Sequence, residues 1–413
     1  MNFKSDFAFT KSEIARLREE TPGAESCIHL NNAGASLMPA PVVDAIKNYI
    51  DEEAIEGGYE TFNRHEEDFE RFYQQAARLI NCHSGEIAFV ENATRAWDMI
   101  FYSLPWKAGD VILTSMAEYA SNYIAYLQLN KKFGVDVKAV PNASDGALCI
   151  DSLKKMIDAR TALVAVTHVP TNGGLVNPAI EIGRVARERE LPYLLDACQS
   201  VGQLDVDVEE IGCDFLSATG RKYLRGPRGT GFLYVRKSRI KNIEPVFLDL
   251  HAATWVAKDS FEIRDDARRF ENWEQNYAGK YGLTRAMEYA LALGTGNIQE
   301  RVLYLGNYLR QGLASLTGDA EIEVTDTGST RCGIVSFRSA RYKVDEIIGA
   351  MKEHRINLSS STTSGTRLDM EDRGLTELVR ASVHYYNTEA ELDLFIAKLA
   401  DLHSALASSH PRP

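Results

Sequence analysis

Between residues 87 and 235 short apolar runs alternate with helical stretches, and this alternation constrains the fold more than any other feature. The runs are Ile87–Val90, Asp110–Thr114, Val135–Val140, Ala162–Thr167, Leu191–Asp196, Phe215–Ala218 and Gly231–Val235. Helical spacing fills many of the gaps, at Thr94–Leu104, Ser121–Lys132, Ile150–Ala159 and Ile180–Arg189. Strands alternating with helices imply an α/β fold with a mostly parallel sheet, here seven-stranded, covered on both faces. Ligands in such sheets bind beyond the carboxyl ends of the strands.

The flanks differ in texture. Residues 10–20 read as a short polar helix, and Ile28–Ser36 as a short strand passing into a small-residue loop. Pro39–Glu56 carries Val42, Val43, Ile46, Tyr49 and Ile50 at amphipathic helical spacing, and Glu66–Ile80 is a second helical stretch. Past about residue 265 long helical stretches, Tyr281–Leu293 and Ile298–Leu316, precede strand-like runs at Glu321–Val324, Gly333–Phe337 and Val379–Val383. Val344–His354 and Glu389–Ser408 are also helical, and the tail Ser408–Pro413 is expected to be disordered. Three regions follow: residues 1–37 packing with a small domain, residues 38–264 as a large α/β domain, and residues 265–413 as a smaller α+β domain.

Composition narrows the partners. The 413 residues carry a formal net charge of −12, which argues against a broad nucleic-acid surface but not against a local anion pocket. None of the six cysteines forms a CxxC pair, and no Cys/His group has zinc spacing, so no metal is expected. No apolar stretch reaches the roughly 18–20 residues that span a bilayer, and no secretory signal is recognised at Met1–Asp6. The expectation is a soluble, cytoplasmic protein that binds a small molecule.

Polar residues with chemical potential cluster at the ends of the runs. Lys222 lies in Thr219-Gly220-Arg221-Lys222-Tyr223, between two strand-like runs, where an amine suits a Schiff base with an aldehyde cofactor. Asp196 ends another run, where a buried carboxylate needs a cationic partner; a turn or helix N-cap aspartate is the structural alternative. Ala93, Thr94 and Arg95 open a helix after Val90, whose free amides suit a phosphate or equally an ordinary capped helix. Tyr119 follows a further strand end and could stack on a flat ring or simply pack.

Taken in order, these segments resemble the class V, cysteine desulfurase-like group of fold-type I pyridoxal phosphate enzymes. The residues that carry the resemblance are Leu30-Asn31-Asn32-Ala33-Gly34, Ala93-Thr94-Arg95, Glu118-Tyr119, Thr167–Asn172, Asp196–Gln199, Thr219–Lys222 and Arg380-Ala381-Ser382. The resemblance implies pyridoxal 5′-phosphate held by Lys222 as the Schiff-base lysine and catalytic residue. Asp196 would pair with the ring nitrogen, Gln199 with the phenolic oxygen, and Tyr119 would stack on the ring. Ala93, Thr94, Arg95, Thr171, Thr219 and Arg221 complete the implied cofactor site. Asn32, Ala35, Asn172 and Arg380 form the implied site for an amino-acid substrate, Arg380 for its carboxylate. A homodimer with the active site near the subunit interface is implied too. Glu274 stands where the family often has a phosphate-binding threonine, which leaves Gln275 or Asn276 for that contact.

The departures bear on the reaction. Desulfurases keep a nucleophilic cysteine on a loop before the carboxylate-binding arginine. Here Ile356–Arg367 contains only hydroxyl residues in that role, which disfavours persulfide formation. The loops Thr219–Gly229 and His168–Val176 are similar to a subgroup of hercynylcysteine sulfoxide lyases and isopenicillin N epimerase-like proteins. The resulting expectation is a carbon–sulfur β-lyase acting on an S-substituted cysteine or its sulfoxide and giving pyruvate and ammonia. An epimerase, a class V aminotransferase, a desulfurase and a non-enzymatic pyridoxal phosphate-binding regulator are the alternatives.

Overall fold

The computed structural model describes residues 9–316 and 322–407, the side chains of 404–407 excepted. The tail Ser408–Pro413 and the first residue of the run at Glu321 lie outside the described residues. The seven runs form one sheet. In spatial order its strands are Ile87–Val90, Gly231–Val235, Phe215–Thr219, Tyr193–Asp196, Thr161–Thr167, Val111–Ser115 and Asp136–Val140. Gly231–Val235 is antiparallel to both neighbours, and all other pairings are parallel. Six carboxyl ends therefore open on one edge of the sheet.

Six of the strands are buried along nearly their whole length because both faces are covered, while the edge strand Asp136–Val140 is half-buried. Leu113, Val164, Val166, Leu195 and Leu216 pack on one side with Phe72, Ile80 and Ile182. Ile112, Leu163, Ala165 and Leu194 pack on the other with Trp97, Phe101 and Tyr126. Gly231 has no alternative: a Cβ there would lie 2.4 Å from the Ala218 carbonyl and 3.2 Å from the Asn92 backbone. Close approach at this point brings the start of the helix Ala93–Phe101 against the sheet.

The second sheet is antiparallel and runs Ile322–Val324, Ile334–Ser339, Glu377–Ser382, Ser359–Thr362. Ser359–Thr362, expected as a loop, is an edge strand in register with Glu377–Ser382, with Ser359 opposite Arg380. The N-terminal stretch joins this sheet. Ile28 pairs with Ile356 and His29 with Asn357, and Asn31 bridges to Ser382. A hairpin at Ala253–Ala257 and Ser260–Ile263 was not expected from the sequence pattern. The division after residue 264 stays a proposal, and the helix Tyr277–Leu293 lies across it in space. Its Leu283, Ala286 and Met287 are buried in the core of the large sheet. Among the described residues no helix is long and apolar enough to cross a membrane.

One buried ion pair ties the loop after Thr161–Thr167 to the second sheet. Asp326 accepts from Arg310 Nε at 2.7 Å and from the Gly174 and Ser336 amides at 3.0 Å each. Arg310 also donates to the Cys332 and Ile334 carbonyls. Removing one partner of such a pair strands the other charge, at a cost of about 3–5 kcal/mol. Asp326→Ala is expected to lower stability by that amount in urea denaturation, because it leaves Arg310 buried without a carboxylate.

Candidate active site

A cleft of about 180 Å³ opens at the carboxyl edge of the large sheet. Its floor is built from strand ends. Phe215–Thr219 leads into a tight turn closed by Gly220 N–H to Thr230 O at 2.9 Å and Gly226 N–H to Gly220 O at 2.8 Å. Arg225 takes the left-handed conformation in this turn, φ 57°. Its guanidinium donates to Thr21 Oγ1 and Tyr385 Oη at 2.6 Å and to the Leu37 carbonyl at 2.8 Å. The turn is thereby pinned to both ends of the chain and points Lys222 into the cleft.

Lys222 is buried. Burial pushes its amine below the ordinary lysine range, with Arg221 and Arg380 adding to the effect against Cys198 and Asp196. A neutral amine is the nucleophilic form. Asp196 is buried as well, and burial pushes its carboxyl up. Hydrogen bonds from Asn122 Nδ2 at 3.0 Å and the Cys198 amide at 2.9 Å oppose that shift, as does Lys222. These donors favour the charged form, which suits a carboxylate awaiting a cation.

The residues present fit a flat cofactor that carries an aldehyde, a ring nitrogen and a phosphate. Gln199 donates Nε2–H to the Ala33 carbonyl at 3.2 Å and keeps a second N–H, while its Oε1 is buried without a partner. The second N–H, rather than the acceptor Oε1, is what an oxygen of a ligand could use. Asn92 caps the helix Ala93–Phe101 by accepting the Arg95 amide at 2.9 Å, and Ala93 and Thr94 line the cleft at this helix start. Tyr119, Thr171, Thr219 and Arg221 line it too. Arg221 is also tied to the small-residue loop, donating to the Gly34 carbonyl while its own carbonyl accepts from Ser36 N–H at 2.9 Å. Arg380 borders the cleft with its Nη1 on Thr171 O at 3.0 Å and Thr171 Oγ1 at 2.7 Å, and its buried Nε has no partner among the described residues.

Four expected residues stand elsewhere. The Arg95 side chain turns away to Asn272 at 3.4 Å and lies 4.1 Å over the Phe247 ring. Asn32 is fully buried, donating to His29 O and Ser382 O and accepting from Tyr386 Oη at 2.6 Å. Asn172 donates to Asp369 at 2.7 Å, which satisfies it inside the second sheet's framework. Ala35 lies in the loop behind Arg221, its carbonyl bonded to His29 Nε2 at 2.8 Å. Gln275 and Asn276 have partners within the chain: Gln275 bonds Glu271 at 2.9 Å, and Asn276 caps the helix Tyr277–Leu293.

Two polar residues, Asn122 lining the cleft and Glu118 behind it, escaped the sequence reading as participants. The available signal was a carboxylate just past a strand end, the same placement that marked Asp196. His168 packs behind the cleft rather than lining it. Its Nδ1 has no partner, and burial pulls its pKa from 6.5 to about 4. The folded value lies below the unfolded one, so between these limits the unfolded chain binds more protons. Stability present above pH 6.5 is therefore lost as pH falls through about 4. His168→Gln is expected to flatten this acid limb, worth on the order of 3 kcal/mol, in urea unfolding measured against pH.

Comparison with known proteins places the whole architecture. The family model described as aminotransferase class-V matches residues 28–395. A probable cysteine desulfurase of Methanothermobacter thermautotrophicus is 30% identical over 394 residues, covering 94% of this chain and 97% of the relative. The apo structure of a cysteine desulfurase from Thermococcus onnurineus NA1 superposes with a TM-score of 0.87 at 26% identity, covering 95% of this chain and 98% of that one. The cystine C–S lyase C-DES superposes with a TM-score of 0.83, covering 92% and 99%; at 24% identity it shows the fold alone. The fold-type I arrangement is thus present as expected. The relatives carry desulfurase names, so nearness to the hercynylcysteine sulfoxide lyase and epimerase subgroup is not supported.

Proposed function

The chain belongs to the aminotransferase class-V family, and on that premise we propose that it is a pyridoxal 5′-phosphate enzyme breaking the Cβ–S bond of cysteine. The observation that carries this reading is the buried Lys222 amine beside the buried Asp196 carboxylate and the half-satisfied Gln199 amide, all in one cleft. The relatives named as cysteine desulfurases along nearly their whole length support cysteine as the substrate.

When bound, the cofactor supplies an aldehyde for the amine and a ring that accepts electrons from Cα. Lys222 would hold the aldehyde and would serve as the base for the Cα proton. Asp196 keeps a proton on the ring nitrogen. Gln199 donates its free N–H to the phenolic oxygen, and Tyr119 covers one ring face. Thr94, Thr219 and the amides at Ala93 bind the phosphate, with Arg221 close by. Arg380 receives the substrate carboxylate, and Thr171 orients its guanidinium.

A second reading, β-elimination from an S-substituted cysteine, is favoured by one observation. Ser359–Thr362 carries hydroxyls and no thiol, and Ser361 Oγ donates to Thr171 O at 3.2 Å beside Arg380. Cys198 alone of the six cysteines lines the cleft, and burial pushes its thiol up, away from the reactive thiolate.

We further propose a homodimer. Tyr59, Leu250, Trp255, Phe261 and Trp273 are large apolar side chains left exposed on one copy.

Incubation with cysteine and a thiol acceptor, with cystine, and with S-alkylcysteine sulfoxides tests the reaction. Alanine is expected from cysteine, with the sulfur passed to the added thiol as a persulfide; pyruvate from the substituted substrates would favour the second reading. Racemised substrate without either product would overturn both. Lys222→Ala is expected to abolish turnover and the visible absorption band of the bound cofactor. Arg380→Ala is expected to raise KM by about 10- to 100-fold, the size of a charge-assisted hydrogen bond pair. Light scattering that shows only a monomer would remove the dimer.

A further inference from the structure

Behind the cleft lies a second buried carboxyl that the chemistry above does not use. Glu118 follows the strand Val111–Ser115 and accepts hydrogen bonds from five donors. Thr114 Oγ1 and the Thr167 amide reach Oε2 at 2.8 and 3.1 Å. Thr167 Oγ1, the Tyr119 amide and Asn122 Nδ2 reach Oε1 at 2.5, 2.9 and 2.8 Å. These donors belong to two adjacent parallel strands and to the start of the helix Ala120–Phe133. Glu118 thus fixes the helix against the strand ends, and with it the side chain of Asn122.

Asn122 has two N–H groups on Nδ2. One goes to Glu118 and the other to Asp196 Oδ2 at 3.0 Å. The remaining oxygen, Asp196 Oδ1, accepts the Cys198 amide at 2.9 Å. One fixed donor on each oxygen sets the plane of the carboxylate. Without Asn122, rotation about the Cβ–Cγ bond would be restrained from one side only.

We propose that Glu118 and Asn122 are positioning residues, which through the Asn122 amide hold the Asp196 carboxylate in the orientation that pairs with the cofactor's ring nitrogen. This rests on the pyridoxal phosphate reading above. It assigns a role in cofactor binding to two residues that do not themselves touch the reacting atoms.

The test is a double-mutant cycle read by titration of apoprotein with pyridoxal 5′-phosphate, beside steady-state kinetics with cysteine. Asn122→Ala is expected to weaken cofactor binding about ten-fold or more, as for a hydrogen bond to a charged group. It is also expected to shift the visible band and lower kcat while KM stays within about two-fold. Glu118→Gln is expected to act in the same direction but less. In an Asp196→Ala background each substitution is expected to add less than about two-fold, because its effect runs through Asp196. Equal losses with and without Asp196, in a wild-type protein that binds the cofactor, would overturn the proposal alone. Failure of the wild-type protein to bind pyridoxal 5′-phosphate would overturn the cofactor reading and the proposal with it. If Asn122→Ala does not fold, the Glu118→Gln arm of the cycle decides by the same criterion.

Discussion

A carboxylate buried at the end of a strand is expensive, and the cleft is organised around the Asp196 charge. Two hydrogen bonds and a nearby lysine work against the desolvation that pushes its carboxyl up. Each of those supports comes from a different segment: the helix Ala120–Phe133, the turn after Asp196 itself, and the turn that carries Lys222. The parallel sheet makes this possible because its strand ends deliver polar residues from distant parts of the chain to one edge.

Lys222 is held by a comparable logic from the opposite side. Its turn is stitched by backbone hydrogen bonds, and Arg225 locks it against Thr21, Leu37 and Tyr385. Among the described residues no carboxylate stands at ion-pair distance from the amine, and burial dominates its protonation. Lysine and aspartate therefore face one another with opposite demands on the same small volume, and a cofactor with both an electrophile and a basic nitrogen answers both.

The parts of this architecture that were legible in the sequence are those with a local physical signature. Six of the seven strands read clearly because strands buried on both faces are continuous apolar runs, and the half-buried edge strand Asp136–Val140 followed from the alternation around it. Lys222 and Asp196 were legible because a charged residue directly after such a run has few bland explanations once several coincide. The hairpin Ala253–Ile263 was not, because its large apolar side chains Trp255, Val256 and Phe261 are exposed and leave no inward–outward alternation. Ser359–Thr362 was hidden because its partner strand, not its own hydroxyl-rich composition, makes it extended. The side-chain directions of Arg95, Asn32 and Asn172 were not legible, for one shared reason. Their directions are set by Asn272, by Ser382 and Tyr386, and by Asp369, residues far away in the chain.

The lock on Arg225 has a consequence for how the protein is made. A nascent chain that has emerged only past the large sheet already contains Lys222, Asp196 and the start of the helix Ala93–Phe101. It lacks Tyr385, and it lacks the Ile356–Asn357 strand that anchors Ile28–His29. Arg225 then has a hydroxyl partner on one side only, and the loop bearing Ala33 and Gly34 has no sheet to lie on. Contacts between segments this far apart in sequence form late. The turn that presents Lys222 thus acquires its final shape only once Tyr385 and the Ile356–Asn357 strand are available to it.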